Sequence, residues 1–123
     1  MEIENLGIGR FRAKKTDHEA IVRNMREFYD YECAHPEIYH YSSTRTYTMP
    51  DENNPEKEYW MFVDKFDDYE DYINSLYKAS HGPENKEGQQ LMARVVDLHE
   101  GFIGNVIDHW TEVPTLRVDD LGR

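Results

Sequence analysis

Glu58-Tyr59-Trp60-Met61-Phe62-Val63-Asp64-Lys65-Phe66 contains, from Tyr59 to Val63, the longest unbroken apolar run of the chain. A strand presents successive side chains to opposite faces, so a run that is apolar at every position has the pattern of a strand covered on both sides. It falls far short of the roughly 20 residues a membrane span needs. The stretch predicts an inner strand of a sheet.

Upstream, Met49-Pro50-Asp51-Glu52-Asn53-Asn54-Pro55 carries the turn formers of a long exposed hairpin loop. Ile38 to Tyr47, rich in Tyr and Thr, reads as the strand that enters it. Earlier still, Leu6 to Ala13 is a short strand, and Thr16-Asp17-His18-Glu19 has the spacing of a capping box. The helix it announces has Ile21, Met25, Phe28 and Tyr29 on one stripe and is stopped near Ala34 by Pro36.

Downstream, Tyr69, Tyr72, Ile73, Leu76 and Tyr77 keep helical spacing as far as about Ala79, with Asp68, Glu70 and Asp71 suiting the helix N-terminus. After the Ser80 to Asn85 loop, Leu91, Val95, Leu98 and Phe102 mark an extra helix from Lys86 to Glu100, with Gly101 and Gly104 as stop signals. Val106 to Val113 reads as the fourth strand, apolar on both faces through Val106, Ile107 and Trp110. Residues 1–115 form one domain, and 116–123 an arm or frayed tail.

The order β-α-β-β-α-(α)-β is the split βαβ arrangement, an α+β fold with a four-stranded antiparallel sheet and helices on one face. The helical stripes cover only that face. Since the third and fourth strands are apolar on both, the other face needs a partner, and a second copy of the sheet is the simplest one, giving a homodimer.

Composition bounds the partners. The 123 residues suit a single core, and 14 Lys and Arg against 25 Asp and Glu give a formal net charge of −11. Nucleic acid and anionic membrane surfaces are disfavoured, because Arg10, Arg12, Lys14 and Lys15 form the only dense basic cluster. Mean hydropathy of −0.90 is low, yet nine Tyr, five Phe and two Trp supply the apolar area of a folded domain. A single cysteine, Cys33, and no apolar signal core in Met1 to Arg10 suggest a cytoplasmic protein. Cys33 reads as packing, having no activating group at local spacing.

From Leu6 to Val113 the element order resembles the dimeric α/β-barrel superfamily, ferredoxin-like subunits that include the antibiotic biosynthesis monooxygenase-like domains and their haem-degrading relatives. The local signature is Tyr72-Ile73-Asn74-Ser75-Leu76-Tyr77-Lys78-Ala79-Ser80-His81, similar to the helix of these families that ends in a pocket-facing His. The commoner pattern has Trp at the place of Tyr72, and the long hairpin loop and extra helix are departures. The resemblance implies a dimeric α/β barrel with a cavity between the sheet and the second helix, bordered by Tyr72, His81, Trp60 and His109. His81, Tyr72 and His109 would be its catalytic residues.

Each candidate has a plainer reading beside it. His81, next to Gly82 and Pro83, faces the pocket as a base or haem ligand, or lies in solvent. His40 and His109 on the second and fourth strands either meet a substrate or are partly buried and bonded to a neighbour. Trp60 and Phe62 line a pocket or are core. Tyr39, Tyr41, Arg45 and Tyr47 alternate onto one strand face, where a guanidinium among phenols holds an anionic or aromatic ligand or forms an interface network. The acids Asp64, Asp67, Asp68, Glu70 and Asp71 lack calcium-loop spacing and read as a solvated helix start. His18, His35 and His99 show no zinc spacing, and Gly7-x-Gly9 alone is no dinucleotide motif, so neither metal nor cofactor is expected.

Two functions of different class follow. One is a cofactor-independent, monooxygenase-like enzyme acting on an aromatic or polycyclic substrate, with Trp60, Arg45, Tyr41 and His40 as binding residues. The alternative is a non-catalytic dimeric ligand-binding or stress-response protein of the same fold; a haem-binding or haem-degrading relative is the third reading.

Overall fold

The computed structural model describes residues 2–122. Four strands, β1 (Asn5–Lys14), β2 (Ser43–Pro50), β3 (Lys57–Phe66) and β4 (Asp108–Thr111), form one antiparallel sheet in the order β2-β3-β1-β4. Three helices, α1 (His18–Ala34), α2 (Tyr69–His81) and α3 (Lys86–Val96), complete an α+β fold with the ferredoxin-like element order. The apolar run is in β3, which pairs with β1 on one side and β2 on the other, as an inner strand must.

Alternation sorts the sheet into two faces. Phe11 and Ala13 of β1 and Trp60, Asp64 and Phe66 of β3 are buried beneath the helices. Leu6, Ile8, Tyr47, Tyr59, Met61 and Val63 occupy the other face, which no helix covers. On the helix side, a Cβ on Gly7 would stand 2.6 Å from the Tyr72 hydroxyl and one on Gly9 2.1 Å from the Phe62 ring. Gly7-x-Gly9 thus serves ring packing: two missing side chains let two aromatic rings rest on the backbone of β1.

Four local expectations need correction. First, α1 begins after a 3₁₀ turn, Lys15–Asp17, with no side-chain cap, because Lys15 N–H still bonds Glu56 O at 2.9 Å and holds the chain to the sheet. Second, β2 starts at Ser43 rather than near Ile38. The preceding chain turns, with Ile38 N–H bonding His35 O at 3.0 Å, and joins the ladder only where Ser42 N–H reaches Lys65 O at 2.7 Å. Third, α3 stops at Val96, and His99 sits in the turn beyond it, its N–H on Val96 O at 2.9 Å.

Fourth, the last strand is Asp108–Thr111 rather than Val106 to Val113, and it shares one edge of β1 with a second segment that the sequence placed at the end of the extra helix and its glycine stop. Glu100 to Ile103 bonds its upper half, through Glu100 N–H to Arg12 O (2.7 Å) and Ile103 N–H to Arg10 O (2.9 Å), and β4 pairs with Asn5 to Ile8. The chain leaves the edge between them. Gly101 (φ 111°) and Gly104 (φ 73°) take conformations that L side chains rarely adopt, so these glycines permit the excursion.

The tail is tied back at its start: Glu112 N–H bonds Glu4 O at 2.8 Å, and Arg117 pairs with Glu112. Among the described residues, no helix is long and apolar enough to cross a membrane.

Candidate functional site

The three helices do not fill the space over the sheet. A cavity of about 550 Å³ remains, walled by Phe11 and Phe62 of the sheet, Met25, Phe28 and Tyr29 of α1, Ile73 and Leu76 of α2, and Val95 of α3. Its size lies within the range of roughly 300–1,000 Å³ typical of small-molecule pockets. Tyr77, Met92, Val96, Phe102 and Val106 are exposed yet line it, which makes them an apolar rim at its mouth. Among the described residues no Lys or Arg lines it. A second concavity of about 550 Å³ lies on the open face, between Arg10, Arg12, Tyr47, Met49, Tyr59 and the Glu100 to Ile103 segment.

Polar groups in the inner cavity concentrate on Glu32, Tyr41 and Asp64. Glu32 is the last buried member of the α1 stripe Ile21, Met25, Phe28, Glu32, so helical spacing delivers a carboxyl to the core. Its pKa is raised to about 8, chiefly by burial; the neighbouring Tyr41 hydroxyl works against the shift and the Asp64 charge adds to it. Position reinforces the effect, because the last turn of α1 is the negative end of the helix dipole and holds no basic residue. Glu32 Oε1 is buried without a hydrogen-bond partner.

Asp64 faces the same space from β3 and accepts a hydrogen bond from Tyr72 Oη at 2.8 Å. Burial raises its pKa too, opposed by the hydroxyls beside it. Tyr72 is fully buried, stacked on Phe66 (4.3 Å) and edge-on to Tyr41 (6.2 Å). Burial first, then the carboxyls nearby, holds the Tyr41 and Tyr72 phenols protonated far above their ordinary range. The result is a buried cluster of two carboxyls and two protonated phenols, in which Glu32, with a pKa near neutrality, can take or give a proton.

His99 forms another polar spot on the cavity wall. Its ring stacks on Phe11 at 3.5 Å and meets Phe102 edge-on at 5.3 Å, and both ring nitrogens are buried without partners. Burial lowers its pKa to about 4, so it is neutral at physiological pH.

The residues singled out from sequence scatter. Tyr41 lines the cavity, and Tyr72 reaches it through Asp64. His81 does not face the pocket. It is the last residue of α2 and exposed, Nδ1 3.0 Å from Tyr77 O and the ring stacked on Tyr77, one turn beyond the point where that stripe of the helix reaches the cavity rim. His40 has both ring nitrogens engaged, Nδ1 with Asp71 at 3.0 Å and Nε2 with Glu37 O at 2.9 Å. His109 stacks on Tyr69 (4.1 Å) at the sheet edge, Nε2 3.2 Å from Asn5 Oδ1.

Trp60 is core, stacked on Phe11, with Nε1 donating to Glu58 Oε1 at 3.1 Å. Arg45, opposite Val63, lies on the open face. Tyr39 and Tyr41 therefore do not share a face with Arg45 and Tyr47: strict alternation holds only within a continuous ladder, and theirs begins at Ser43. Asp64 belongs to the buried face of β3, not to a solvated helix start. Among the described residues no group of three or more acids, His or Cys is placed to hold a metal ion.

Sequence reading passed over Glu32 and gave Asp64 and His99 other roles, a solvated helix start and a histidine without zinc spacing. Each had a signal: Glu32 continues an apolar helical stripe four residues past Phe28, Asp64 shares parity with Trp60, Phe62 and Phe66, and His99 follows Leu98 at the end of one.

No protein-family profile matches the chain, and no curated protein does. Among solved structures it is similar to a conserved protein from Methanosarcina mazei Go1, with a TM-score of 0.54 at 10% identity, over 88% of this chain and 91% of that one. The likeness concerns the fold alone.

Proposed function

We propose that the protein is a small-molecule enzyme of the dimeric α/β-barrel, monooxygenase-like kind, acting without a cofactor on an aromatic or polycyclic substrate in the inner cavity. The observation that carries this reading is a mostly aromatic and aliphatic cavity of about 550 Å³ holding a buried carboxyl, Glu32, with an unpartnered oxygen and a pKa raised to about 8. Glu32, in place of His81, takes the proton. In its ionised form it removes a proton from an activated CH₂ next to an aromatic ring, and burial makes that carboxylate a stronger base than one in water. The electron pair left on carbon reduces O₂. The carbon–oxygen bond forms, the peroxide loses water, and the sum is R₂CH₂ + O₂ → R₂C=O + H₂O. The apolar walls position the substrate and exclude water.

The same reading includes a second copy of the chain on the open sheet face. Tyr47, Met49 and Trp110 are exposed there in line with Met61 and Val63, and the concavity beside Arg10 and Arg12 would lie within the contact.

Anthrone, whose CH₂ is flanked by two rings and a conjugated ketone, is the test substrate. In the dark the protein is expected to consume O₂ and form anthraquinone above the spontaneous rate, and Glu32→Gln to lose about 100-fold or more of that rate. A rate equal to that of protein-free buffer overturns the reading.

A further inference from the structure

Among the described residues, Glu32 Oε1 and both ring nitrogens of His99 are buried without a hydrogen-bond partner. Both residues line the inner cavity. An unpaired buried polar group has lost its water without compensation, so their gathering at one cavity marks positions that a ligand would complete.

We propose that Glu32 and His99 are the two polar contacts by which the inner cavity selects an uncharged, planar aromatic ligand with hydroxyl or carbonyl oxygens at both ends. This deepens the reading of the cavity as a substrate site and rests on it. The two contacts are far apart. Asp64, whose charge reaches Glu32, pairs with Gly7 of β1, and His99 is level with Phe11, on which it stacks. Four residues of strand separate those levels by roughly 13 Å, a span suited to a few fused rings with an oxygen at each end.

Charge selects in the same direction. A carboxylate on the ligand would meet no cation among the described residues, since no Lys or Arg of theirs lines the cavity, and would lie near two carboxyls. A ligand ammonium would need Glu32 to ionise. At neutral pH Glu32 is mostly protonated and His99 is neutral, so they offer an acid O–H together with one donor and one acceptor nitrogen, which match neutral oxygens. The guanidinium that would hold an anion, Arg45, is on the opposite face of the sheet.

Calorimetric titration of the full chain with 2,6-dihydroxynaphthalene, 2-naphthol and 6-hydroxy-2-naphthoate tests the assignment. The diol is expected to bind about tenfold tighter than the mono-ol, and the naphthoate at least tenfold more weakly than the diol. His99→Leu should abolish the gap between diol and mono-ol, while His99→Gln, which keeps a donor and an acceptor, should retain part of it. A purely structural effect would weaken both ligands equally and leave the gap. Equal binding of diol and mono-ol to the native chain, survival of the gap in His99→Leu, or naphthoate binding as tight as the diol overturns the proposal while leaving the cavity as a ligand site. If none of the three binds, both readings fall. Should His99→Leu not fold, the gap measured in His99→Gln decides: an undiminished gap counts against the proposal.

Discussion

Tyr72 donates its hydroxyl to Asp64 Oδ2 at 2.8 Å directly over Gly7, the residue of β1 that pairs with Asp64. The bond is possible because Gly7 has no side chain. It holds α2 on the sheet and places the carboxyl at the edge of the cavity.

Gly7→Ala is expected to destabilise the fold by about 1–3 kcal/mol in urea titration, since its Cβ would stand 2.6 Å from a hydroxyl pinned by Asp64. Gly9→Ala meets the Phe62 ring, which borders the cavity and has room to swing into it. It should cost less stability and weaken 2-naphthol binding more. The reverse ranking would show that Phe62, not Tyr72, is the rigid partner.

Stability should fall as pH rises from about 6.5 to 8. Glu32 has a folded pKa of about 8 against 4.5 for the free group, so the contribution of its protonated form is complete below 4.5 and lost as pH climbs through 8. Asp64 shifts in the same direction. His99, lowered from 6.5 to about 4, acts oppositely: its contribution is present above 6.5 and lost as pH falls toward 4, which offsets Glu32 between roughly 4.5 and 6.5. Melting temperatures of Glu32→Gln should decline less than the native protein's above pH 6.5; parallel curves would place Glu32 in water.

Asn85 joins three parts of the helical layer. Its Nδ2 donates to Tyr39 Oη (3.0 Å) and Ala79 O (2.9 Å), and its Oδ1 accepts from Tyr31 Oη (2.6 Å). Asn85→Leu should cost about 1–3 kcal/mol for each partner left unpaired, read by urea denaturation. A change within about 0.5 kcal/mol would mean that water replaces the amide.

Met61→Glu, on the open face, is expected to halve the mass found by sedimentation equilibrium while keeping the native circular dichroism, because it buries a carboxylate only when two sheets meet. Trp60→Asp, one residue away but under the helices, should unfold the chain. A native protein that sediments as a monomer at micromolar concentration removes the dimer.

The element order was legible in the sequence. Periods of two and of three to four are imposed by local geometry, and Tyr59 to Val63 or Ile21, Met25 and Phe28 display them whatever they later touch. That β3 is an inner strand was read from the same run, and its pairing with β1 and β2 bears this out. The site was not legible in this way. Tyr39 and Tyr41 share a parity with Arg45 and Tyr47, yet the chain turns before Ser43 and sends the two pairs to different places. His81 has the residue type of a base, but α2 carries it one turn past the cavity rim at Tyr77 and leaves it in solvent. Glu32 and His99 look like ordinary polar residues until helices and sheet close around them. Desolvation is a property of everything packed around a group, and it alone makes Glu32 an acid near neutrality and leaves His99 uncharged. Local periodicity determined the elements; only their packing decided which polar atoms would lose water and find no partner.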